Sequence, residues 1–303
     1  MHCIVIICGP TASGKTRAGI ELALKVGGEI VSADSQQVWR HFDIGTAKST
    51  AAERAAVPHH LIDIAEPKER FDAAQFVGLA DAAIEDITSR GRMPIVVGGT
   101  GMYLRMLVCG MCEAPPRDPD VRSGLEGESE KYGLKRLYER LIEVDPESAS
   151  KIKSNDPVRI IRALEIHRIT GIPACELRKR HDFGERRYEA EWIGLTLERK
   201  GLYSRIDSRV DAMIANGLLE EARALRDRYG DQVQPFAAVG YKEMASHLRG
   251  EISFDEAVRL IKQNTRRFAK RQLTWFRAEP AVVWYSGDDI ESIAASAHAT
   301  SCL

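Results

Sequence analysis

One short motif near the amino terminus constrains the fold of this chain more than any other feature. Gly9-Pro10-Thr11-Ala12-Ser13-Gly14-Lys15-Thr16 fits the pattern G-x-x-x-x-G-K-[ST], which defines a P-loop. An apolar run at residues 4–7 precedes the motif, and a helical pattern at residues 16–25 follows it. Since a P-loop lies between a strand and a helix, this order predicts an α/β fold with a parallel sheet.

The residue types of the motif suit a bound diphosphate or triphosphate. Glycines let the backbone curl so that successive N–H groups face one concavity, and the helix start adds the positive end of a dipole. Lys15 supplies a mobile charge, and the Thr16 hydroxyl can be a ligand of Mg²⁺. We therefore predict that residues 9–16 bind a phosphate group, with Thr16 as the metal ligand.

Further apolar runs and helical periods extend the α/β pattern. Strands are predicted at residues 29–31, 94–97, 192–197 and 282–285, and helices at 71–89, 199–214, 218–229 and 254–278. The apolar runs do not alternate with polar residues, which is typical of parallel strands buried on both faces. The predicted fold class is a P-loop NTPase-like parallel sheet flanked by helices.

A change in composition indicates an insertion. Three prolines fall within residues 113–119, and the chain from 121 to 189 is charged, helix-prone and poor in strand signals. We predict a P-loop core over residues 1–117, a helical insertion domain over 118–187, and the remainder of the core with basic helices over 188–303.

Composition excludes several classes of protein. The net charge of −1 argues against a uniformly basic surface, and no stretch approaches the length of a membrane span. The first residues are predicted to form a buried strand instead of a signal peptide. The cysteines have no zinc-like pairing, which favours reduced thiols in a cytoplasmic protein. They are Cys3, Cys8, Cys109, Cys112, Cys175 and Cys302.

One acid is placed near the predicted phosphate site. Asp34 follows the second apolar run, whereas the run at 95–97 ends in Gly98-Gly99-Thr100-Gly101 and offers no carboxylate of the kind an ATPase uses. On spacing alone, Asp34 is either a functional acid or a helix cap.

Seven further segments identify a particular family. They are SADSQQVWR (32–40), DIGTAK (43–48), PHHLID (58–63), GGTGMY (98–103), NDPVRIIRALE (155–165), VGY (239–241) and AKRQLTWF (269–276). Together with the P-loop, these segments resemble the bacterial tRNA dimethylallyltransferases over nearly the whole chain.

The resemblance implies a prenyl transfer. The dimethylallyl group of dimethylallyl diphosphate would move to N6 of the adenosine on the 3′ side of a tRNA anticodon, and the P-loop would hold the leaving diphosphate. It implies that Asp34 is the general base, that Thr11 contacts the substrate, and that Arg205 binds the diphosphate. Mg²⁺ is the expected cofactor, and the enzyme is expected to be a monomer.

The resemblance also implies a set of contacts with the anticodon stem-loop. The residues are Asp34, Ser35, Gln36, Gln37, Thr100, Arg122, Val158, Arg159, Ile160, Ile161, Arg162, Gly240, Tyr241 and Lys242. In addition, the stretch from Arg259 to Arg277 holds seven basic residues and no acidic one. With no acid inside the stretch to pair locally, Arg266, Arg267 and Lys270 are predicted to meet RNA phosphates.

Three other functions use some of the same features. An adenylate isopentenyltransferase would apply the same chemistry to a free nucleotide, but it needs neither the insertion nor the basic helix. A small-molecule kinase would use the P-loop for ATP, but it leaves the PHHLID segment without a role. An RNA-binding module without activity would leave the intact P-loop unexplained.

Overall fold

The computed structural model describes residues 2–181 and 184–287. Its contacts divide the chain into two compact units, one made of Met1–Val108 with Arg187–Leu303 and the other of Cys109–Arg186. The sequence sets these boundaries after residues 117 and 187, and that division stays a prediction. Cys302 and the last part of the range 188–303 lie outside the described residues.

The first unit is built on a six-stranded sheet whose neighbouring strands are all parallel. The strands are β1 (His2–Cys8), β2 (Glu29–Ser32), β3 (His59–His60), β4 (Pro94–Gly98), β5 (Tyr188–Thr196) and β6 (Val282–Ser286), in the order β3-β2-β4-β1-β5-β6. Cys8, at the end of β1, pairs in register with Gly98 of β4 and Gly194 of β5. The P-loop after β1 and the glycine turn after β4 therefore begin side by side at the carboxyl ends of the parallel strands.

The helices connect these strands and fill the second unit. They are α1 (Lys15–Val26), α2 (Ala51–Ala56), α3 (Ala73–Ser89), α4 (Gly101–Cys109), α5 (Pro119–Tyr132), α6 (Leu134–Val144), α7 (Pro146–Lys151), α8 (Pro157–Thr170), α9 (Ala174–His181), α10 (Arg199–Ala215), α11 (Leu218–Tyr229), α12 (Tyr241–Leu248) and α13 (Phe254–Arg277). The predicted ranges for α1, α3, α10, α11 and α13 agree with the structure to within two residues at each end. The short elements α2, α4, α12 and β3 were not predicted, because each of them is too short to establish a period.

The central strands are buried on both faces, as their uninterrupted apolar runs predict. Along β1, Ile4 and Ile6 are 1% and 0% exposed, and Val5 and Ile7 are 3% and 0% exposed. Val5 and Ile7 pack with Leu22 of α1 in one hydrophobic cluster. The predicted fold class is confirmed, with helices covering a parallel sheet.

The regular elements of the second unit are all helices in its described part. Three of its helices begin in the same way, with an aspartate that caps the backbone N–H groups and a proline in the first turn, at Asp118, Asp145 and Asp156. Its own core contains Leu125, Leu141 and Ile160. Within residues 2–181 and 184–287, no helix combines the length and the apolar character needed to cross a membrane.

Candidate active site

The P-loop connects β1 to α1 through a tightly curled backbone. Gly9 has φ of 141° and Gly14 has φ of 97°, values that side chains rarely allow. At Gly9 a Cβ atom would also lie 2.4 Å from the carbonyl oxygen of Leu195 in β5. The loop can therefore approach β5 only because glycine stands at this position.

A cavity of about 300 Å³ opens beside the P-loop. Its polar lining comes from the P-loop, the segment after β2, the turn after β4, α10 and α13, and includes Thr11, Lys15, Thr16, Asp34, Ser35, Gln36, Gln37, Thr100, Arg209 and Gln272. Its apolar lining includes Val210, Met213, Val239, Ile261 and Phe268. Most of the residues predicted for the diphosphate and the target base are thus brought to one place.

Three cations, Lys15, Arg209 and Arg271, and one carboxylate, Asp34, line this cavity. The Lys15 ammonium donates to the Pro10 carbonyl oxygen over 2.6 Å, and burial lowers the pKa of Lys15 to about 8. Burial also lowers the pKa of Arg209, while the charge of Asp34 opposes the shift for both Lys15 and Arg209. Among the described residues that line the cavity, Asp34 is the only carboxylate. The site therefore holds an excess of positive charge in partly desolvated surroundings, which favours an anion.

Arg205 does not line the cavity, contrary to the role predicted for it. Its side chain lies on the exposed side of α10. Arg209, one helical turn further along α10, lines the cavity, and its guanidinium Nη1 lies 3.4 Å from the Thr11 hydroxyl. Because residues four apart share a helix face but differ in height, the later arginine of the pair reaches the P-loop.

The segment after β2 is held in a defined shape around Asp34. The Gln36 N–H donates to Asp34 Oδ1 over 2.8 Å, and the Ser35 N–H donates to the Thr100 hydroxyl over 3.1 Å. The Gln37 amide donates to the Ala47 carbonyl oxygen over 3.3 Å. In contrast, the buried Gln36 Oε1 has no hydrogen-bond partner among the described residues. This acceptor is available to a donor group that enters the cavity.

Gln272 of α13 ties the P-loop to the turn after β4. Its Oε1 accepts from the Thr11 N–H over 2.8 Å, and its Nε2 donates to the Gly99 carbonyl oxygen over 3.0 Å. The residue is 7% exposed. The sequence analysis did not select Gln272 as a site residue, although it stands inside the AKRQLTWF segment. A glutamine among basic residues on one helix was the available signal.

The Tyr241 side chain is buried beneath the loop that carries Gly45 and does not reach the surface where RNA was predicted to bind. It is fully buried, its hydroxyl donates to Glu221 over 2.6 Å, and it accepts from the Gly45 N–H over 3.0 Å. Glu221 also accepts from the Ile44 N–H. The tyrosine therefore fixes the loop that carries the DIGTAK segment. Of its predicted neighbours, Gly240 has φ of 104° and Lys242 is exposed.

The basic stretch of α13 is partly neutralised by acids outside it. Arg266 donates to Asp207 of α10 over 2.9 Å, so it is paired with an acid that lies outside the stretch, and its contact with RNA stays a prediction. Lys262 pairs with Asp211, and Arg259 pairs with Glu256. Arg267 and Lys270 are exposed, and no described carboxylate pairs with either. Fewer basic residues of this helix are unpaired than its sequence suggests.

The predicted RNA contacts of the second unit divide by burial. Val158 is 59% exposed and Arg159 is exposed with an ion pair to Asp156. Ile160 and Ile161 are 0% and 5% exposed. Their side chains belong to the core of the unit, so these side chains do not offer a surface to RNA.

The two other arginines predicted in this unit lie near one buried acid, although Arg122 donates its hydrogen bond to Glu126 over 3.0 Å. Glu165 is fully buried and accepts from Arg162 over 2.8 Å, while Arg122 lies 3.9 Å from it. Arg162 also donates to the Pro115 carbonyl oxygen. A buried carboxylate needs such a partner, which gives Arg162 a role in the fold of this unit, and the contacts of both arginines with RNA stay predictions.

Comparisons with known proteins extend over most of the chain. The family model described as IPP transferase matches residues 37–279, and the model described as isopentenyl transferase matches residues 2–65. A tRNA dimethylallyltransferase of Anaeromyxobacter dehalogenans is 53% identical over 93% of this chain and 94% of its own length. One of Geobacter metallireducens is 49% identical over 93% of this chain and 91% of its own length.

Two solved structures are similar throughout. A full-length tRNA isopentenylpyrophosphate transferase of Bacillus halodurans has 42% identity and a TM-score of 0.74, covering 98% of this chain and 96% of its own. A eukaryotic dimethylallyltransferase acting on tRNA has 28% identity and a TM-score of 0.81, covering 99% of this chain and 78% of its own.

Proposed function

This chain belongs to the IPP transferase family, and we propose that it transfers a dimethylallyl group from dimethylallyl diphosphate to N6 of the adenosine 3′ of the anticodon in tRNA. The tRNA dimethylallyltransferases among its relatives support this reaction. The observation that carries the proposal is a single cavity that combines the carboxylate of Asp34 with the cations Lys15 and Arg209. Cations stabilise a departing diphosphate, and a carboxylate accepts a proton from an amine.

The diphosphate would lie in the P-loop. There it meets the N–H groups at the start of α1, the Lys15 ammonium and the Arg209 guanidinium. As the allylic C–O bond breaks, its electron pair moves onto the diphosphate, and these groups stabilise the added negative charge. The fork of Arg209 suits two oxygens of such a group better than an ammonium would, and we assign to Arg209 the role that the resemblance implies for Arg205.

Mg²⁺ is the metal that we propose for this site. The cavity offers the Thr16 hydroxyl, and the described residues contain no cluster of three or more His, Cys, Asp or Glu side chains that could hold a metal alone. This donor set fits Mg²⁺, which keeps several waters and binds through one or two protein oxygens together with phosphates. Thr16 would hold the ion, which when bound neutralises charge on the diphosphate.

Asp34 would act on the acceptor adenine. The N6 lone pair is delocalised into the ring and is a poor nucleophile, so a carboxylate that accepts its hydrogen bond both orients the amine and removes a proton as the C–N bond forms. Asp34 Oδ1 already accepts the Gln36 N–H. The buried acceptor Gln36 Oε1 is free to receive a donor of the base. The adenine must leave its stack to reach these groups.

The anticodon stem-loop would contact exposed basic groups. In the first unit these are Arg267, Lys270 and Lys242, and in the second unit Arg159, all of which are exposed. Their contacts with phosphates would make affinity dependent on salt. We propose a monomeric enzyme that works in the cytoplasm, where its tRNA substrate is found.

One assay tests this function against its alternatives. The protein is incubated with an unmodified anticodon stem-loop, dimethylallyl diphosphate and Mg²⁺, and the nucleosides are analysed by mass spectrometry. N6-isopentenyladenosine in the RNA is the expected product. Prenylation of AMP without prenylation of RNA would select the adenylate isopentenyltransferase, and ATP-dependent phosphorylation would select the kinase.

A further inference from the structure

Among the described residues, Phe268 is the one exposed large apolar side chain that lines the cavity. It lines the cavity that contains Asp34, and it is 38% exposed to solvent. Because its ring both lines the cavity and is exposed, Phe268 lies where the cavity opens to the surface. Other residues of α13, among them Ile261, Ala269 and Phe276, are buried and pack the helix against the rest of the unit. Phe268 is therefore not needed to anchor the helix.

The surroundings of Phe268 suit a nucleic-acid base. The Arg271 guanidinium lies 5.7 Å from the centre of the ring, and both side chains line the cavity. Arg267 and Lys270 are exposed in the same turn of α13 as Phe268. A ring flanked by cations is the arrangement that proteins use to stack bases while basic groups hold the backbone.

We propose that Phe268 is a positioning residue on which the extruded target adenine stacks, with Arg271 holding the ring; this inference rests on the proposed function. An adenine that leaves the anticodon loop loses stacking with its neighbours. Stacking on the phenyl ring at the entrance to the cavity compensates for part of the stacking that the adenine loses. It also directs the N6 edge of the base toward Asp34. The ring takes no part in proton or prenyl transfer.

The test compares Phe268→Leu, which keeps an apolar side chain but removes the aromatic face, with Phe268→Tyr, which keeps the face. We expect the KM for the stem-loop to rise about ten-fold in Phe268→Leu, as the loss of one base–aromatic stack predicts. In Phe268→Tyr the KM for the stem-loop should stay close to the wild-type value. The KM for dimethylallyl diphosphate should not change. Phe254→Leu, at the other end of α13 and outside the cavity lining, is the matched control.

A second measurement reports stacking directly. A stem-loop with 2-aminopurine at the target position lacks the reactive N6 amine, so it binds without turnover, and its fluorescence is quenched by stacking. The complex with Phe268→Leu should be brighter than the complexes with wild type and Phe268→Tyr.

Two results would overturn the inference. One is equal quenching and equal RNA KM in wild type and Phe268→Leu. The other is a defect in Phe268→Leu that appears in the KM for dimethylallyl diphosphate, which would assign the ring to the prenyl chain. Failure of the wild-type enzyme to prenylate the stem-loop would instead contradict the proposed function.

Discussion

At the scale of single residues, the role of Asp34 can be tested without disturbing its segment. Asp34→Asn keeps an oxygen that can accept the Gln36 N–H but cannot remove a proton. We expect kcat to fall about 10²-fold or more, the scale of a general base, with little change in RNA affinity. Steady-state kinetics on the stem-loop measure this effect. Asp255→Asn, an exposed acid in the first turn of α13, is the control; wild-type turnover in Asp34→Asn would remove the residue from its role.

Arg209 and Arg205 form a matched pair on α10. Arg209→Ala removes a charge that lines the diphosphate cavity, so kcat/KM for dimethylallyl diphosphate should fall about 10²-fold or more. Arg205 is exposed and outside the cavity lining, so Arg205→Ala should stay within about three-fold of wild type, as is usual for surface substitutions. The reverse order of the two losses would restore the assignment made from sequence.

Lys15 gives the reaction a pH dependence. Burial lowers the pKa of its ammonium to about 8 in the free protein. Below this pH the charged form is present and binds diphosphate, whereas above it the neutral amine predominates. We therefore expect kcat/KM for dimethylallyl diphosphate to fall as pH rises through about 8, a profile that reports the free enzyme. In Lys15→Arg the fall should move out of the measured range, because an arginine stays charged. A flat wild-type profile up to pH 9.5, which is about the upper end of the useful range, would contradict this role.

At the scale of elements, α13 carries two groups of basic residues with different consequences. Arg267 and Lys270 face solvent without a described carboxylate partner, and Arg259 is paired with Glu256. Replacing Arg267 and Lys270 with alanine should reduce the slope of log affinity against log salt by about two, one for each lost phosphate contact. Arg259→Ala should leave the slope unchanged. Filter binding across a salt series measures both, and an unchanged slope in the double variant would place the RNA elsewhere.

At the scale of the whole molecule, the sequence predicted the fold better than it predicted which side chains of the helices reach the cavity or the surface. Apolar runs and helical periods were sufficient for the central strands and the long helices, because burial imposes those patterns. The curled backbone of the P-loop likewise requires its glycines, so the motif predicts the shape of the loop. Which arginine of α10 reaches the cavity depends on where each lies along the helix axis relative to the P-loop, and the residue types do not reveal this.

Burial and pairing across the chain were the other source of error. Arg266 is neutralised by Asp207, an acid 59 residues earlier in the sequence, so a local count of charges misjudged it. Ile160 and Tyr241 stand in segments that resemble RNA-contacting motifs, but both are fully buried. A motif groups residues that touch a substrate with residues that hold them in place, and tertiary packing is needed to separate the two.

The central claim is that the P-loop holds a diphosphate leaving group while Asp34 accepts a proton from an adenine amine. The most direct measurement counts products in one reaction of the enzyme with stem-loop RNA, dimethylallyl diphosphate and Mg²⁺, without any nucleoside triphosphate. We predict one diphosphate released for each N6-isopentenyladenosine formed. Release of diphosphate without modified adenosine, or prenylation that requires the cleavage of added ATP, would contradict the account.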